Sequence, residues 1–427
     1  MNLYKNTFII SLFTILSQAL GVLRDKLLIS VVGVGITLDI YNAAFKIPDI
    51  VMAIIIPFAG ITVIVPLLTA SIIKNNQEEL YKKLSTLFVF FNLTMAFFCI
   101  LVTLTLDLFL YKIFPNFSAS DLITLSGLIK IMLLQPILLG ASGLLSCIAL
   151  AYKNFLCYAI APVFYNIGII IGVIFFYKSY GVNGLIYGAL LGAFMHISIN
   201  SYFIFKNKVD LNIFSFDFKY IKEIFPIASW RSIAFIMIAL KQFIITIFSG
   251  FLGAGIISIW TFALNLTNMC VQFFASSYAI ASFPLLSEQY ERGEYETLRN
   301  TIKKQSRNIF LFSIMFSIMA FIFAKLFVNI IYNGNKDVLN IFYVLILSIP
   351  FLNLEQYYAR AMMAAHKVKL VSVIHIFSFI VLLLCLAIFY KMGYSYLFLA
   401  YSYLISTIFQ VMILYFIGNN TIIKNKI

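Results

Sequence analysis

Residues 62–84 read TVIVPLLTASIIKNNQEELYKKL, and residues 280–302 read IASFPLLSEQYERGEYETLRNTI. Pro66-Leu67-Leu68 of the first stretch lines up with Pro284-Leu285-Leu286 of the second, and Leu80 falls opposite Leu298. In both, an apolar segment ends near the Pro-Leu-Leu step and gives way to a charged run. A second echo sets Gln135-Pro136 against Ile349-Pro350, and Ala151-Tyr152-Lys153 against Ala365-His366-Lys367. The chain reads as one unit written twice.

The repeated unit is a set of membrane helices. Hydrophobic residues make up 63% of the 427, charged residues only 11%, and the mean hydropathy is +1.01. No soluble core needs so much apolar surface. Runs long enough to cross about 30 Å of hydrocarbon recur near residues 7–32, 40–71, 86–111, 123–151, 155–176, 183–205, 222–250, 255–287, 308–331, 338–364, 368–390 and 394–417. The expected fold is an all-α polytopic membrane protein of about twelve transmembrane helices in two six-helix lobes, residues 1–205 and 222–427, joined by a basic cytoplasmic linker at 206–221. An even number of spans per lobe gives both copies the same orientation, related by an axis along the membrane normal. That is the plan of an alternating-access transporter.

Basic residues concentrate in every second gap: Lys5; Lys74, Lys82 and Lys83; Lys153; Lys206, Lys208, Lys219 and Lys222; Arg292, Arg299, Lys303, Lys304 and Arg307; Lys367 and Lys369; Lys424 and Lys426. The opposite gaps hold scattered lysines such as Lys178, Lys336 and Lys391. Short Lys/Arg-rich loops stay in the cytoplasm, which places both termini there. The net charge of +14 therefore describes membrane orientation and not a nucleic-acid surface. The charged runs Glu78–Lys83 and Glu288–Arg307 read as short interfacial helices.

Several classes of activity lose support. Cys99, Cys147, Cys157, Cys270 and Cys385 sit singly in apolar stretches, as packed thiols do, with no metal or redox spacing. His196 and His375 stand alone in apolar spans and His366 at a helix end, so neither a catalytic set nor a metal site is expected. No phosphate-binding G-x-x-x-x-G-K-[ST] loop is present, and energy must come from an ion gradient, the membrane potential or the solute gradient. The first apolar run is too long for a signal peptide and lacks an Ala-x-Ala step, so it is expected to remain as the first helix.

A charge at a helix centre costs roughly 2.5–3.5 kcal/mol on insertion scales and calls for a partner or a cavity. Arg24, Asp25 and Lys26 interrupt the first span, and Asp39, Lys46 and Asp49 mark the second at spacings of seven and three, near one helical face if Pro48 allows the helix to continue. Pro57 predicts a kink farther along. Lys130 and Gln135 fall in the fourth span, Arg231 and Lys241 in the seventh, and Glu355, Gln356 and Arg360 in the tenth. Arg231 lies close enough to Lys222 either to snorkel or to face a cavity; Lys241 is deeper, and a cavity position is expected. Lys46, Lys130 and Arg360 admit both readings. Basic groups outnumber acidic ones in these spans, which suits an anionic head group such as a diphosphate. Asp25, Asp39 and Glu355 are the candidates to couple an ion to movement.

Certain stretches carry a family resemblance: Ser17-Gln18-Ala19-Leu20-Gly21-Val22-Leu23-Arg24-Asp25, then Asp39, Ala44-Phe45-Lys46-Ile47-Pro48 and Val65-Pro66-Leu67-Leu68. Ala161-Pro162-Val163-Phe164-Tyr165-Asn166-Ile167-Gly168, Phe225-Pro226, Phe283-Pro284-Leu285-Leu286-Ser287 and Tyr358-Ala359-Arg360 extend it along the chain. The sequence resembles the MurJ (MviN) family of lipid II flippases within the MOP exporter superfamily. The resemblance implies a V-shaped, two-lobed transporter in the bacterial cytoplasmic membrane. Its partner would be an anionic undecaprenyl-diphosphate-linked glycan, moved from the inner to the outer leaflet by a monomer without enzymatic activity or cofactor. It also implies that Arg24 contacts the diphosphate, that Asp25 and Asp39 shape the cavity or gate, and that Lys46 lines it.

The chain departs from the family pattern at Gln18, at Met52-Ala53 and Pro57-Phe58, and at Asn265 and Asn268, where arginines and acidic residues are usual. Lys241 and Arg231 are the candidates to replace the missing charges, and Arg360 and Glu355 complete the expected substrate-binding set. About twelve helices, against the fourteen usual in that family, also resembles the O-antigen-type flippases, which makes a lipid-linked oligosaccharide the alternative cargo. A MATE-like exporter would favour an acidic cavity, and a non-transporting scaffold would tolerate the lost arginines.

Overall fold

The computed structural model describes residues 3–55, 68, 76–152, 154–206, 216–272 and 277–423. Pro57, Phe58, Pro66, Leu67, Lys74, Lys153, Lys208, Lys424 and Lys426 lie outside the described residues, as does most of the expected linker. Within the described residues all regular structure is helical. Among the described residues, eight helices are long and apolar enough to cross a membrane, and a bent pair supplies a ninth candidate, where the whole sequence predicts about twelve. The chain is a multi-pass membrane protein.

The first helices are α1 (Leu3–Val31), α2 (Ile36–Ala44), α3 (Lys46–Ile55), α4 (Gln77–Ile113), α5 (Ala119–Met132), α6 (Leu134–Ala151), α7 (Phe155–Ile171) and α8 (Val182–Lys206). After them come α9 (Phe218–Phe251), α10 (Ile256–Val271), α11 (Ser277–Glu291), α12 (Tyr295–Ile331), α13 (Lys336–Ile346), α14 (Ile349–Ala364), α15 (Val368–Lys391) and α16 (Phe398–Ile423).

Three apolar segments are broken, and proline fixes each break. A proline in a helix leaves the carbonyl four residues earlier without its donor. For Pro48, Pro136 and Pro350 that earlier residue is Ala44, Met132 and Ile346, which are the last residues of α2, α5 and α13. The chain ends one helix there and starts another with proline in its first turn, where a missing N–H costs nothing. The α13–α14 pair bends by 50°. Asp39 and the Lys46/Asp49 pair consequently stand on two separate helices, α2 and α3, and the continuous face expected for them is interrupted at Phe45. Pro136 and Pro350 are the residues matched in the internal repeat, so the two copies share their break.

The charged runs expected as separate interfacial helices are extensions of spanning ones. Glu78–Lys83 opens α4, with Asn76 capping the N–H of Glu79 at 3.1 Å, and Tyr295–Arg307 opens α12. Apolar residues continue through the charged part at helical spacing: Leu298, Ile302 and Ile309 are buried along α12 and pack with Leu286, Tyr357 and Leu414. That stripe makes one long helix cheaper than two.

Contacts divide the chain into two compact units, residues 1–239 and 240–427. The first half of α9 belongs to unit 1 because Ile221 and Ile224 join the core of Leu84, Phe91, Leu145 and Ile148. Polar ties reinforce that seat: the Asp217 backbone N–H donates to Thr86 Oγ1 at 2.9 Å, and Lys82 lies 3.3 Å from the Asp217 carboxylate. The Lys219 N–H and Lys82 hold the Asp217 carboxyl below the usual range, so this tie is present near neutral pH and weakens as acid protonates it.

In unit 1, α7 and α8 approach through glycine. A Cβ at Gly168 would lie 2.2 Å from the Gly192 backbone, and one at Gly188 would lie 2.4 Å from Gly172 Cα. Small residues four apart allow such close crossing in hydrocarbon, where dispersion has to replace the hydrophobic effect. Gly188→Ala is expected to lower the melting temperature of the detergent-solubilised protein by several degrees, consistent with an overpacking cost of roughly 1–3 kcal/mol. Gly127→Ala on α5, where an added Cβ meets nothing within 4 Å, should leave it unchanged or raise it.

Candidate functional site

Two clusters of charged and polar side chains lie within the apolar helices, one in each unit. In unit 1 the organising group is Arg24 on α1. Its Nε and Nη2 donate to Asp25 Oδ1 at 3.0 and 2.8 Å, and its Nη1 donates to Asn166 Oδ1 on α7 at 3.3 Å. Asn166 is held in turn, donating from Nδ2 to the Ser17 carbonyl and hydroxyl at 3.2 and 3.1 Å and to the Pro162 carbonyl at 3.2 Å. Asp25 is buried, whereas the Arg24 side chain is 23% exposed.

A guanidinium has five N–H donors. Three of Arg24's are engaged, which leaves one on each terminal nitrogen without a partner among the described residues. Two donors on a planar, immobilised cation match two oxygens of a phosphate. Tyr41 on α2 and Tyr165 on α7 stand within electrostatic reach of the same guanidinium, and Gln135 beside the α5–α6 break donates to the Tyr165 hydroxyl at 3.1 Å. Asp39 is buried on α2. Lys46 is half-buried, Asp49 is exposed, and the two attract each other along α3.

Unit 2 holds a closed polar chain. Lys241 on α9 is 6% exposed and donates to Ser378 Oγ on α15 at 2.7 Å and to Gln410 Oε1 on α16 at 2.8 Å. The amide of Gln410 donates from its other end to Glu355 Oε1 on α14 at 3.1 Å, and His375 Nε2 on α15 lies 3.4 Å from the same oxygen. Ser378 donates onward to the Ser406 carbonyl at 2.9 Å. One amide thus offers its carbonyl to a buried cation and its N–H group to a carboxylate, the only orientation of Gln410 that serves both. A buried charge is tolerable only when paired in this way.

Of the other expected residues, Arg231 is half-buried on α9 in unit 1, and Arg360 is half-buried one helical turn beyond Glu355, within electrostatic reach of it. Several of the basic groups counted in the sequence are paired in place. Lys130 pairs with Asp107, which also accepts from Ser126. Lys26 is exposed. His375, expected to be a packed histidine, belongs to the unit 2 chain, and His196 contacts Ser142 at 2.7 Å. Asn166, Gln410 and Ser378 are not among the expected site residues; Gln410 and Ser378 are polar residues in apolar spans and Asn166 lies within a resemblance stretch, the signals that point to them.

Residues 28–425 match the family model described as lipid II flippase MurJ. A probable lipid II flippase MurJ of Buchnera aphidicola subsp. Acyrthosiphon pisum is 27% identical over 314 residues, 70% of this chain and 60% of the relative. One from Borreliella burgdorferi is 23% identical over 316 residues, 71% and 59% of the two chains. The chain thus spans about 60% of the length of the curated relatives it matches. Among solved structures, a lipid II flippase MurJ in an inward closed conformation superposes with TM-score 0.78 at 22% identity, covering 96% of this chain and 87% of that one. An inward-facing MATE-family multidrug resistance transporter of the MOP superfamily superposes with TM-score 0.79 at 14% identity, covering 96% of both. The fold is that of a MOP-type transporter.

Lys241→Met and Glu355→Gln should each destabilise unit 2 by on the order of 3 kcal/mol, because each strands a buried partner. Combined, they should cost less than their sum by about 0.5–3 kcal/mol in a double-mutant cycle of thermal melts. Strict additivity would mean that Gln410 does not bridge the two charges.

Proposed function

The chain belongs to the MurJ family, and on that premise we propose that it moves lipid II, an undecaprenyl-diphosphate-linked saccharide, from the inner to the outer leaflet of the bacterial cytoplasmic membrane. The observation that carries the reading is Arg24, anchored by Asp25 and Asn166 with one open donor on each terminal nitrogen. A guanidinium fixed before the substrate arrives loses little side-chain freedom on binding, so more of the charge-assisted attraction to a diphosphate appears as affinity. Lys46 on α3 adds a point charge, while Asp25 and Asp39 keep the empty site close to neutral.

In this reading about twelve helices form two lobes, residues 1–205 and 222–427, with both termini in the cytoplasm, and the basic segment 206–221 joins them. Access alternates between the two faces of the membrane, with Arg231, Lys241, Glu355 and Arg360 assigned to the path or to its control. The protein works as a monomer, and an ion gradient or the membrane potential drives it. The Lys241–Gln410–Glu355–His375 chain is the place in unit 2 where a change of charge would be felt across α9, α14, α15 and α16 at once.

The test is reconstitution with lipid II beside an undecaprenyl-diphosphate O-unit, reading exposure of each head group on the far leaflet. Lipid II alone should be moved. Arg24→Glu should lower the rate of movement by at least about tenfold for the loss of a charge-assisted pair, while still inserting but melting at a lower temperature because it strands buried Asp25; Arg24→Lys, which keeps the charge beside Asp25, should retain a fraction. Movement of the O-unit alone would change the cargo, and a fully active Arg24→Glu protein would remove Arg24 from the mechanism.

A further inference from the structure

Apart from both polar clusters, unit 2 carries a groove of about 660 Å³ between α12, α14 and α16. Its two ends differ in chemistry. At one, Lys303, Lys304 and Arg307 project from slightly more than one turn of α12; all three are exposed, and their charged groups have no hydrogen-bond or ion-pair partner among the described residues. Three other cations in the charged ends of helices do have one: Arg292 with Glu288, Lys83 with Glu79 and Lys82 with Asp217. Among the described residues no acidic side chain lines the groove. At the other end the walls are Phe310, Phe351, Met412 and Phe416.

The change from charged to apolar runs along α12 itself, from Arg307 into a face on which Leu311, Phe312 and Met315 are exposed. We propose that this groove binds one anionic diacyl phospholipid, its phosphate among Lys303, Lys304 and Arg307 and one acyl chain along Phe310, Phe351, Met412 and Phe416. A soluble anion would leave the aromatic walls wet, and a zwitterionic lipid would bring a cation to a mouth that already has three. Two of the groove's three helices also hold the buried chain: Leu354 precedes Glu355 on α14, and Val411 follows Gln410 on α16. A bound lipid bridging α12, α14 and α16 therefore favours the arrangement in which Gln410 reaches Glu355.

The experiment is native mass spectrometry of the full chain released from nanodiscs of equal phosphatidylglycerol and phosphatidylcholine content. The wild type is expected to retain phosphatidylglycerol at least about tenfold over phosphatidylcholine, since each basic group near an anionic surface contributes on the order of a fivefold preference. K303Q/K304Q/R307Q should lose the preference, and Met412→Trp, which narrows the groove without touching its charge, should reduce retention of phosphatidylglycerol. Melting temperatures of both variants establish that they fold. Equal retention of the two lipids by the wild type, an unchanged preference in both variants, or displacement of phosphatidylglycerol by equimolar undecaprenyl phosphate would each overturn the proposal. Binding is read without transport, so a protein that moves no lipid II could still pass this test.

Discussion

Inside hydrocarbon no water replaces a lost backbone hydrogen bond, so a helix can be interrupted only where the chain supplies another arrangement. Pro48, Pro136 and Pro350 set three such places, each ending the preceding helix at the residue whose carbonyl would have needed the missing donor. The polar residues gather near them. Lys46 and Asp49 flank Pro48, Gln135 adjoins Pro136 and reaches Tyr165, and Glu355 follows Pro350 by little more than one turn of α14. Breaks and polar groups belong together: an interrupted helix exposes backbone dipoles, and fixed side chains and their partners make that polarity tolerable in an apolar surround.

Neutralisation is the second theme. A count along the sequence finds more cations than anions in the spans, but folding pairs many of them: Arg24 with Asp25, Lys130 with Asp107, and Lys241 with Glu355 through one amide. What stays available to a ligand is a matter of donors and not of net charge. Arg24 keeps two N–H groups because two partners engage only three of its five donors.

Architecture alone does not choose the cargo. A lipid II flippase and a multidrug transporter superpose on this chain about equally well, with TM-scores of 0.78 and 0.79. One helical frame serves both, and the difference has to lie in side chains at the site. The motif around Arg24 lies ahead of the first residue of the family match, at 28, so its role stands on the contacts it makes.

Much of the fold was legible from the chain itself. Length and hydropathy required membrane helices, and the matched prolines at 136 and 350 announced both the repeat and, as it turns out, a shared break. The family was legible from Arg24-Asp25 and Lys46-Ile47-Pro48, since short motifs survive where composition drifts. Single residues whose meaning depends on a distant helix were not legible: Asn166 meets Arg24 across 142 positions, and Gln410 meets Lys241 across 169. Nor was the merging of the charged runs into α4 and α12, because burial of Leu298 and Ile302 is decided by their neighbours. The sequence by itself determined that the chain is built of membrane helices and that proline interrupts some of them, because transfer from water and the missing proline N–H are local properties. Only the tertiary structure decided which charges cancel, because cancellation needs two side chains from different helices at hydrogen-bond distance.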